Sequence, residues 1–308
     1  MEQAKKISHC AVTIFLLGCL LAGCNKFNPT ETVAHEFTTS AAFDNYWHAG
    51  KAELNSYNLT QSRYGEARAG KAVLIFVTED VSKKKQVKAD GLSYRHKINV
   101  MKVNFTKNFI TGIYPYSMML SVFTPVNRRT NPATLKATMS SQEWCGQVYT
   151  QLNLRGNRYA IKSHSYFEQE ADQQYSVKEA LLEDEVWNLI RLDHENLPVG
   201  KLNVLPGLFF TRLHHKDLKV KSAFAEKSVM DSSFVYRLVY ADPKRELTIQ
   251  YEKVFPFKIL SWQETWEENS KTMKTSAVLD KTLYSDYWTK NKNEFQYLRD
   301  SLGLPSNY

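Results

Sequence analysis

From Ala52 almost to its end, this chain places apolar residues at a spacing of two, in run after run closed by turn residues. That pattern builds sheets. Val73, Ile75 and Val77 face one way and Leu74 and Phe76 the other, as in a central strand covered on both sides. Ile98, Val100 and Lys102 alternate with Asn99, Met101 and Val103, and the run continues to Asn108. Residues 110–123, which contain Gly112 and Tyr114-Pro115-Tyr116, predict two strands with a bulge or sharp bend between them. Residues 135–150 and 158–170 predict the long strands of one hairpin, joined through Arg155-Gly156-Asn157. Further strands are predicted over 204–214, 218–226, 234–240, 247–251, 259–267 and 272–283, with Asp242-Pro243, Phe255-Pro256-Phe257 and Glu268-Asn269 as turns. The 17 Tyr, 16 Phe and 6 Trp suit such a sheet.

Helical signals are few. Ser176 as N-cap with Glu179 three residues on predicts a mid-chain helix. Ala180, Leu182, Val186, Trp187 and Ile190 form its buried stripe, Glu179, Glu183, Asp184 and Glu185 lie largely elsewhere, and Pro198 and Gly200 mark its exit. Thr39 or Ser40 could cap a short helix over 41–49, and residues 287–302 could close the chain with another. No repeat of 20–50 residues is visible, which excludes solenoids and propellers. The fold class is therefore mainly β: a large curved antiparallel sheet or half-barrel, with one amphipathic helix mid-chain against its concave face and short terminal helices. In architecture alone this resembles the half-barrel of periplasmic lipoprotein carriers, and a fold does not give a function.

The N-terminus reads as a processing segment. Lys5 and Lys6 precede an apolar stretch over 11–22, too short to span a bilayer as an ordinary helix. It ends in Leu21-Ala22-Gly23-Cys24, which resembles the lipobox of bacterial lipoprotein precursors. In that family the chain is cleaved before the cysteine, here Cys24, whose thiol carries the lipid. Leu16-Leu17-Gly18-Cys19 is a poorer match, because Leu17 is bulky. The expected organisation is a signal peptide over 1–23, a flexible tether over 24–38, and one large β-rich domain over 39–308. Two or three acyl chains would anchor the protein firmly. Asn25 follows the cysteine where an aspartate can mark inner-membrane retention, so the expected site is the outer membrane, facing the periplasm or the cell surface.

Cys10 and Cys19 would leave with the signal and Cys24 would take lipid, leaving Cys145 as a single free thiol with no disulfide framework. Loss of Lys5, Lys6 and Glu2 takes the formal charge from +8 to +7. The excess lies in patches: Lys83-Lys84-Lys85 with Lys88, Arg128-Arg129, and His214-His215-Lys216 with Lys219 and Lys221. Such a surface in an envelope favours anionic lipid or polysaccharide. The plainer assignment of each patch is a solvated loop or strand face. A nucleic-acid partner has no recognition motif here.

Phosphate-loop, HExxH, CxxC and GxSxG motifs are absent, and no cofactor is implied. The densest polar constellation is the run from Ser163 to Asp172. On a strand, His164, Tyr166, Glu168 and Glu170 would share one face, a donor set for a divalent metal or an acid/base pair. Neighbours on one strand face lie roughly 6.5–7 Å apart, so one metal would need a ligand from another strand. The bland alternative is a solvent-facing strand side. Glu143 and Cys145 would face the same way on the strand paired with that of His164, a second candidate, although a lone cysteine is more often a small buried residue. His214 and His215, if on a strand, would point to opposite faces.

The runs YWHAGKAELNSYNLTQSRYGEARAGKAVLIFVTED, TGIYPYS, SSQEWCGQVYTQLN and SHSYFEQEAD resemble a group of lipoproteins of Gram-negative envelopes. The resemblance covers most of the mature chain, and the group has no established activity to carry over. Some members bear the label of the Maf septum-formation inhibitors, which are nucleotide pyrophosphatases. The Ser-Pro-Arg-Arg and Ser-Asp-Thr elements of that family do not occur here. The leading expectation is a non-enzymatic binding or scaffold module for lipid, glycan or an envelope protein. The alternative is an envelope hydrolase or metal-dependent enzyme using His164, Glu168 and Glu170, with Glu143 and Cys145.

Overall fold

A computed structural model describes residues 39–91 and 93–305 of the chain. Cys24 and the segments assigned to the signal and tether lie outside the described residues, which fall within one compact unit. The first half of the sheet consists of β1 (Ala52–Arg63), β2 (Glu66–Ser82), β3 (Lys97–Thr111), β4 (Tyr114–Pro125), β5 (Lys136–Glu143), β6 (Gly146–Arg155), β7 (Arg158–Ser165) and β8 (Gln173–Lys178). The second half is β9 (Leu181–Leu182), β10 (Gly200–Leu205), β11 (Lys221–Val229), β12 (Ser233–Tyr240), β13 (Arg245–Glu252), β14 (Ile259–Glu268) and β15 (Lys271–Ser285).

Connectivity dictates the curvature. Strands pair antiparallel with their sequence neighbours in each half, β15 pairs with β1, and β9 adds in parallel to β10. All fifteen therefore form one sheet whose edges are β8 and β9. Laid flat, it would be about 67 Å wide at the usual strand spacing. Yet only Glu179 and Ala180 separate the two edges in sequence, which limits Lys178 and Leu181 to about 11 Å apart. The sheet must curl until its edges meet at one corner, although no ladder joins β8 to β9. The tight turns that make this possible include Tyr64-Gly65, where both residues have positive φ (55° and 77°), as a two-residue hairpin of this hand requires.

Strands run alternately up and down. We call the end where β1 begins the lower rim and the end where it finishes the upper rim. Inside the curl lies the helical segment 183–196, whose centre is α2 (Val186–Asp193). Before it, residues 41–47 form α1 (Ala41–Trp47) at the lower rim, with Ser40 Oγ accepting from Phe43 N. After it, α3 (Leu208–Leu213) plugs the upper rim. Trp187, Phe105, Phe209 and Trp262 meet edge to face at centroid separations of 5.1–5.5 Å, a geometry aromatic rings prefer. A last helix, α4 (Tyr297–Ser301), belongs to a C-terminal segment that packs Tyr287, Leu302 and Leu304 against Leu54, Ile75, Val77 and Leu283. Among the described residues no helix is long and apolar enough to cross a membrane.

The mainly β, curved and unclosed sheet agrees with the predicted fold class. Its local boundaries differ. Ser176 caps no helix; it lies in β8, where Tyr175 and Val177 face the core and the backbone pairs with β7. The predicted strand over 204–214 stops at Leu205, because Pro206-Gly207 turns the chain inward to start α3. The long strand over 135–150 is two, reversed at Trp144-Cys145, and the one beginning at Arg158 ends at Ser165. The expected bend near Gly112 is a complete hairpin turn between β3 and β4.

Candidate functional site

The end of β7 decides the fate of the polar run. Ser165 Oγ donates to Glu170 Oε2 (2.7 Å) and accepts from Phe167 N (3.2 Å), and Ala171 N returns to Phe167 O (2.8 Å). Residues 166–172 are thus a turn, and the single strand face expected for His164, Tyr166, Glu168 and Glu170 does not exist. His164 remains on the outer face of β7 and pairs with Asp172 (3.1 Å), both largely exposed. Glu170 turns inward, where Oε1 meets His215 Nδ1 at 2.6 Å and Arg212 Nη1 at 3.5 Å.

This pairing stands at the mouth of a cleft of about 470 Å³ between the turn, β6–β8 and α3. Glu168, Gln169 and Gln173 line its outer part, and Thr150 and Ser163 share a hydrogen bond deeper in (2.9 Å). Arg212 is almost wholly buried and stacks on Phe167, 4.4 Å from guanidinium to ring centroid. Burial lowers its pKa, and Glu170 opposes that shift. The structure thus keeps Glu168 and Glu170 at one site and exchanges His164 for His215 and Arg212. The His214-His215 doublet was the available signal, hidden by the strand expected there. At the end of α3 the two histidines diverge: His214 packs on Phe210 and Trp266, and burial pushes its pKa down to about 4, while His215 reaches Glu170.

Glu143 and Cys145 do not join this site. Cys145 is exposed in the β5–β6 turn, its backbone N–H donating to Glu143 Oε2 (3.1 Å). Glu143 holds the thiol above its ordinary pKa, the opposite of nucleophile activation. His164 lies opposite Tyr149, about 13 Å of strand away from the Cys145 position. Among the described residues no group of three or more His, Cys, Asp and Glu is placed to hold a metal ion.

A second polar assembly lies inside the curl. Glu183, Asp184 and Glu185, expected on a largely exposed helix face, are all buried, and each meets a different element. Glu183 takes both terminal nitrogens of Arg245 (2.5 Å each) and the Tyr240 hydroxyl (2.6 Å), while Arg245 Nε donates to Glu264 (2.7 Å). Burial disfavours the Arg245 charge, but Glu183 and Glu264 outweigh it and raise its pKa. Asp184 accepts from Leu208 N at the start of α3 (2.9 Å), and burial pushes its pKa up to about 8. Glu185 accepts from Thr134 Oγ1 and from Leu182 N. Further along, Arg191 donates to Glu53 (2.5 Å) and Asn188 to the carbonyls of Met101 and Val122. These pairs fasten the helical plug to the sheet. No protein-family model matches the chain, and no curated protein matches it.

Proposed function

We propose that this chain is a lipid-anchored envelope protein that acts as a non-enzymatic binding or scaffold module and works through its surface. The observation behind this reading is the occupied interior. Where a carrier of this shape would hold cargo, Trp187, Leu189, Ile190 and Phe209 fill the curl, and Glu183–Arg245 and Glu53–Arg191 lock the plug in place. The anchor rests on Leu21-Ala22-Gly23-Cys24. Native mass spectrometry of the chain isolated from membranes should give the polypeptide with acyl chains on Cys24 and no further lipid. Stoichiometric, non-covalently held lipid would overturn the surface reading, and an unmodified Cys24 would overturn the anchor.

One observation keeps a hydrolase as second reading: the Glu170–His215 pair at the cleft mouth. A variant carrying Glu168→Gln, Glu170→Gln and His215→Gln should still rescue the phenotype of a deletion strain. Failure to rescue by a folded, correctly localised variant would move the function into the cleft.

A further inference from the structure

The two rims carry different charge. At the upper rim, the turn 166–172 brings Glu168, Glu170 and Asp172, and Lys219 and Lys221 are engaged by Asp217 and Asp242. At the lower rim, the loop 83–96 presents Lys83, Lys84, Lys85, Lys88 and Arg95 against the one acid Asp90, and the neighbouring connection adds Arg129, while Arg128 beside it turns toward the buried Glu185 (3.8 Å). Lys83, Lys84, Lys85 and Lys88 are exposed, and among the described residues no carboxylate pairs with any of them.

The loop is built to display these side chains. Gln86, at φ 54°, points its amide inward, donating to Leu154 O (2.8 Å) and accepting from Asn153 Nδ2 (2.7 Å). Ser82 closes the turn from below, its carbonyl accepting from Gln86 N and its hydroxyl from Lys85 N. With Gln86 buried and holding the turn, Lys84 and Lys85 stand exposed beside Lys83, which lines a groove with Asp44 and Asp80, and little ordering of the backbone remains to be done on binding. Tyr94, 92% exposed, and Val87 extend from the same loop. A tyrosine beside clustered cations suits the headgroup layer of a bilayer, where its ring is half-buried and its hydroxyl wet.

The path of the chain points the same way. Thr39, the first described residue, shares a groove of about 680 Å³ with Lys83, Tyr94, Arg95 and Lys97. Fifteen residues, 24–38, link it to Cys24, a reach of about 50 Å at most. The proposed anchor therefore departs from beside the basic loop.

We propose that the basic loop, through Lys83, Lys84, Lys85, Lys88 and Arg95 and with Arg129 beside it, rests on the anionic lipid surface that holds the acyl chains of Cys24, so that the curled sheet stands on its lower rim; this depends on the anchoring reading above. Each lysine near such a surface strengthens attraction roughly fivefold, so Lys83–Lys85 together shift the docked population roughly a hundredfold.

The test uses the full chain isolated from membranes, carrying Cys145→Ser and Ser93→Cys and labelled at residue 93 with an environment-sensitive dye. Vesicles of phosphatidylethanolamine with phosphatidylglycerol should shift its emission to the blue, reversibly in 1 M salt, where the screening length falls to about 3 Å. Pure phosphatidylcholine vesicles should not, and Lys83→Gln, Lys84→Gln, Lys85→Gln should abolish the shift. The unsubstituted chain labelled at Cys145, on the opposite rim, should show none. No shift at residue 93, or an equal one with neutral vesicles or with dextran sulfate alone, would overturn the docking proposal. The dye reports contact whether or not the chain floats with the vesicles. Flotation without a shift therefore sinks docking, and a salt-sensitive shift without stable flotation sinks the anchor alone.

Discussion

Residues 168–172 and 183–185 are both short acidic stretches, and they end in opposite environments. Glu183, Asp184 and Glu185 are buried, each on a partner brought by a different element: Arg245 from β13, Leu208 N from α3, Thr134 from the approach to β5. Glu168, Glu170 and Asp172 sit in a turn at the upper rim, and of these Glu170 alone reaches a nearly buried cation. Acidity is not what separates them. Leu182, Val186 and Trp187 flank the first stretch and are buried, so its acids are carried into the core and stay only because partners await them. The second stretch follows a strand end and keeps its contact with water. A buried acid here is a fastening between elements, and a rim acid makes its contacts in reach of water.

The largest effect should come from breaking the fastening. Arg245→Met leaves Glu183 and Glu264 buried with no guanidinium between them, and removal of one partner of a buried pair costs about 3–5 kcal/mol. Urea unfolding should show that loss. Adding Glu183→Gln removes one of the two stranded charges and should recover part of it, since packed neutral groups often replace a buried pair at little cost. Equal stability of the single and double variants would show that the two groups are not coupled.

Asp184 should make the buried stretch pH-dependent. Its folded pKa, about 8, lies above its ordinary 3.8 because burial and Glu183 disfavour the carboxylate. The stability it contributes is full below pH 3.8 and is lost as pH rises through 8, by up to about 1.4 kcal/mol per pH unit. Glu53 runs the other way: burial opposes its charge, Arg191 prevails, and its lowered pKa means stability lost only as pH falls through the folded value. Asp184→Asn keeps an acceptor for Leu208 N, so its advantage over the unsubstituted protein should widen from pH 4 to pH 8. A difference constant with pH would show that Asp184 takes up no proton on folding.

The fold class was legible because strand alternation is local: Val73 to Val77, or Ile98 to Val103, declares two faces without reference to the rest of the chain. The plug was half legible. Val186, Trp187 and Ile190 gave its buried stripe, but Ser176 and Glu179 imitate a capping box while Tyr175 and Val177 place Ser176 in an edge strand that ends just before Glu179. That choice is settled by β7 alongside, which no local pattern contains. The sites were least legible, because their partners come from far away in sequence. Glu170 and His215 are 45 residues apart, and Glu183 and Arg245 are 62 apart. His164 looked like a site residue because its neighbours were polar, whereas its strand leaves it outside with Asp172.

The smallest effects should separate the two halves of the rim stretch. Glu170→Gln removes the carboxylate that faces Arg212 and His215, and a hydrogen bond to a charged group is worth about 1.5–3 kcal/mol. Glu170 is itself partly solvated and Arg212 keeps its stack on Phe167, so the loss should fall near or below the lower end of that range. His164→Gln should change stability by less than about 0.5 kcal/mol, because its contact with Asp172 joins side chains 60% and 77% exposed, where water replaces either partner. The two substitutions should add, their partners being on separate elements. A loss from His164→Gln as large as that from Glu170→Gln, or marked coupling between them, would reunite the residues in one site and contradict the division of the run at Ser165.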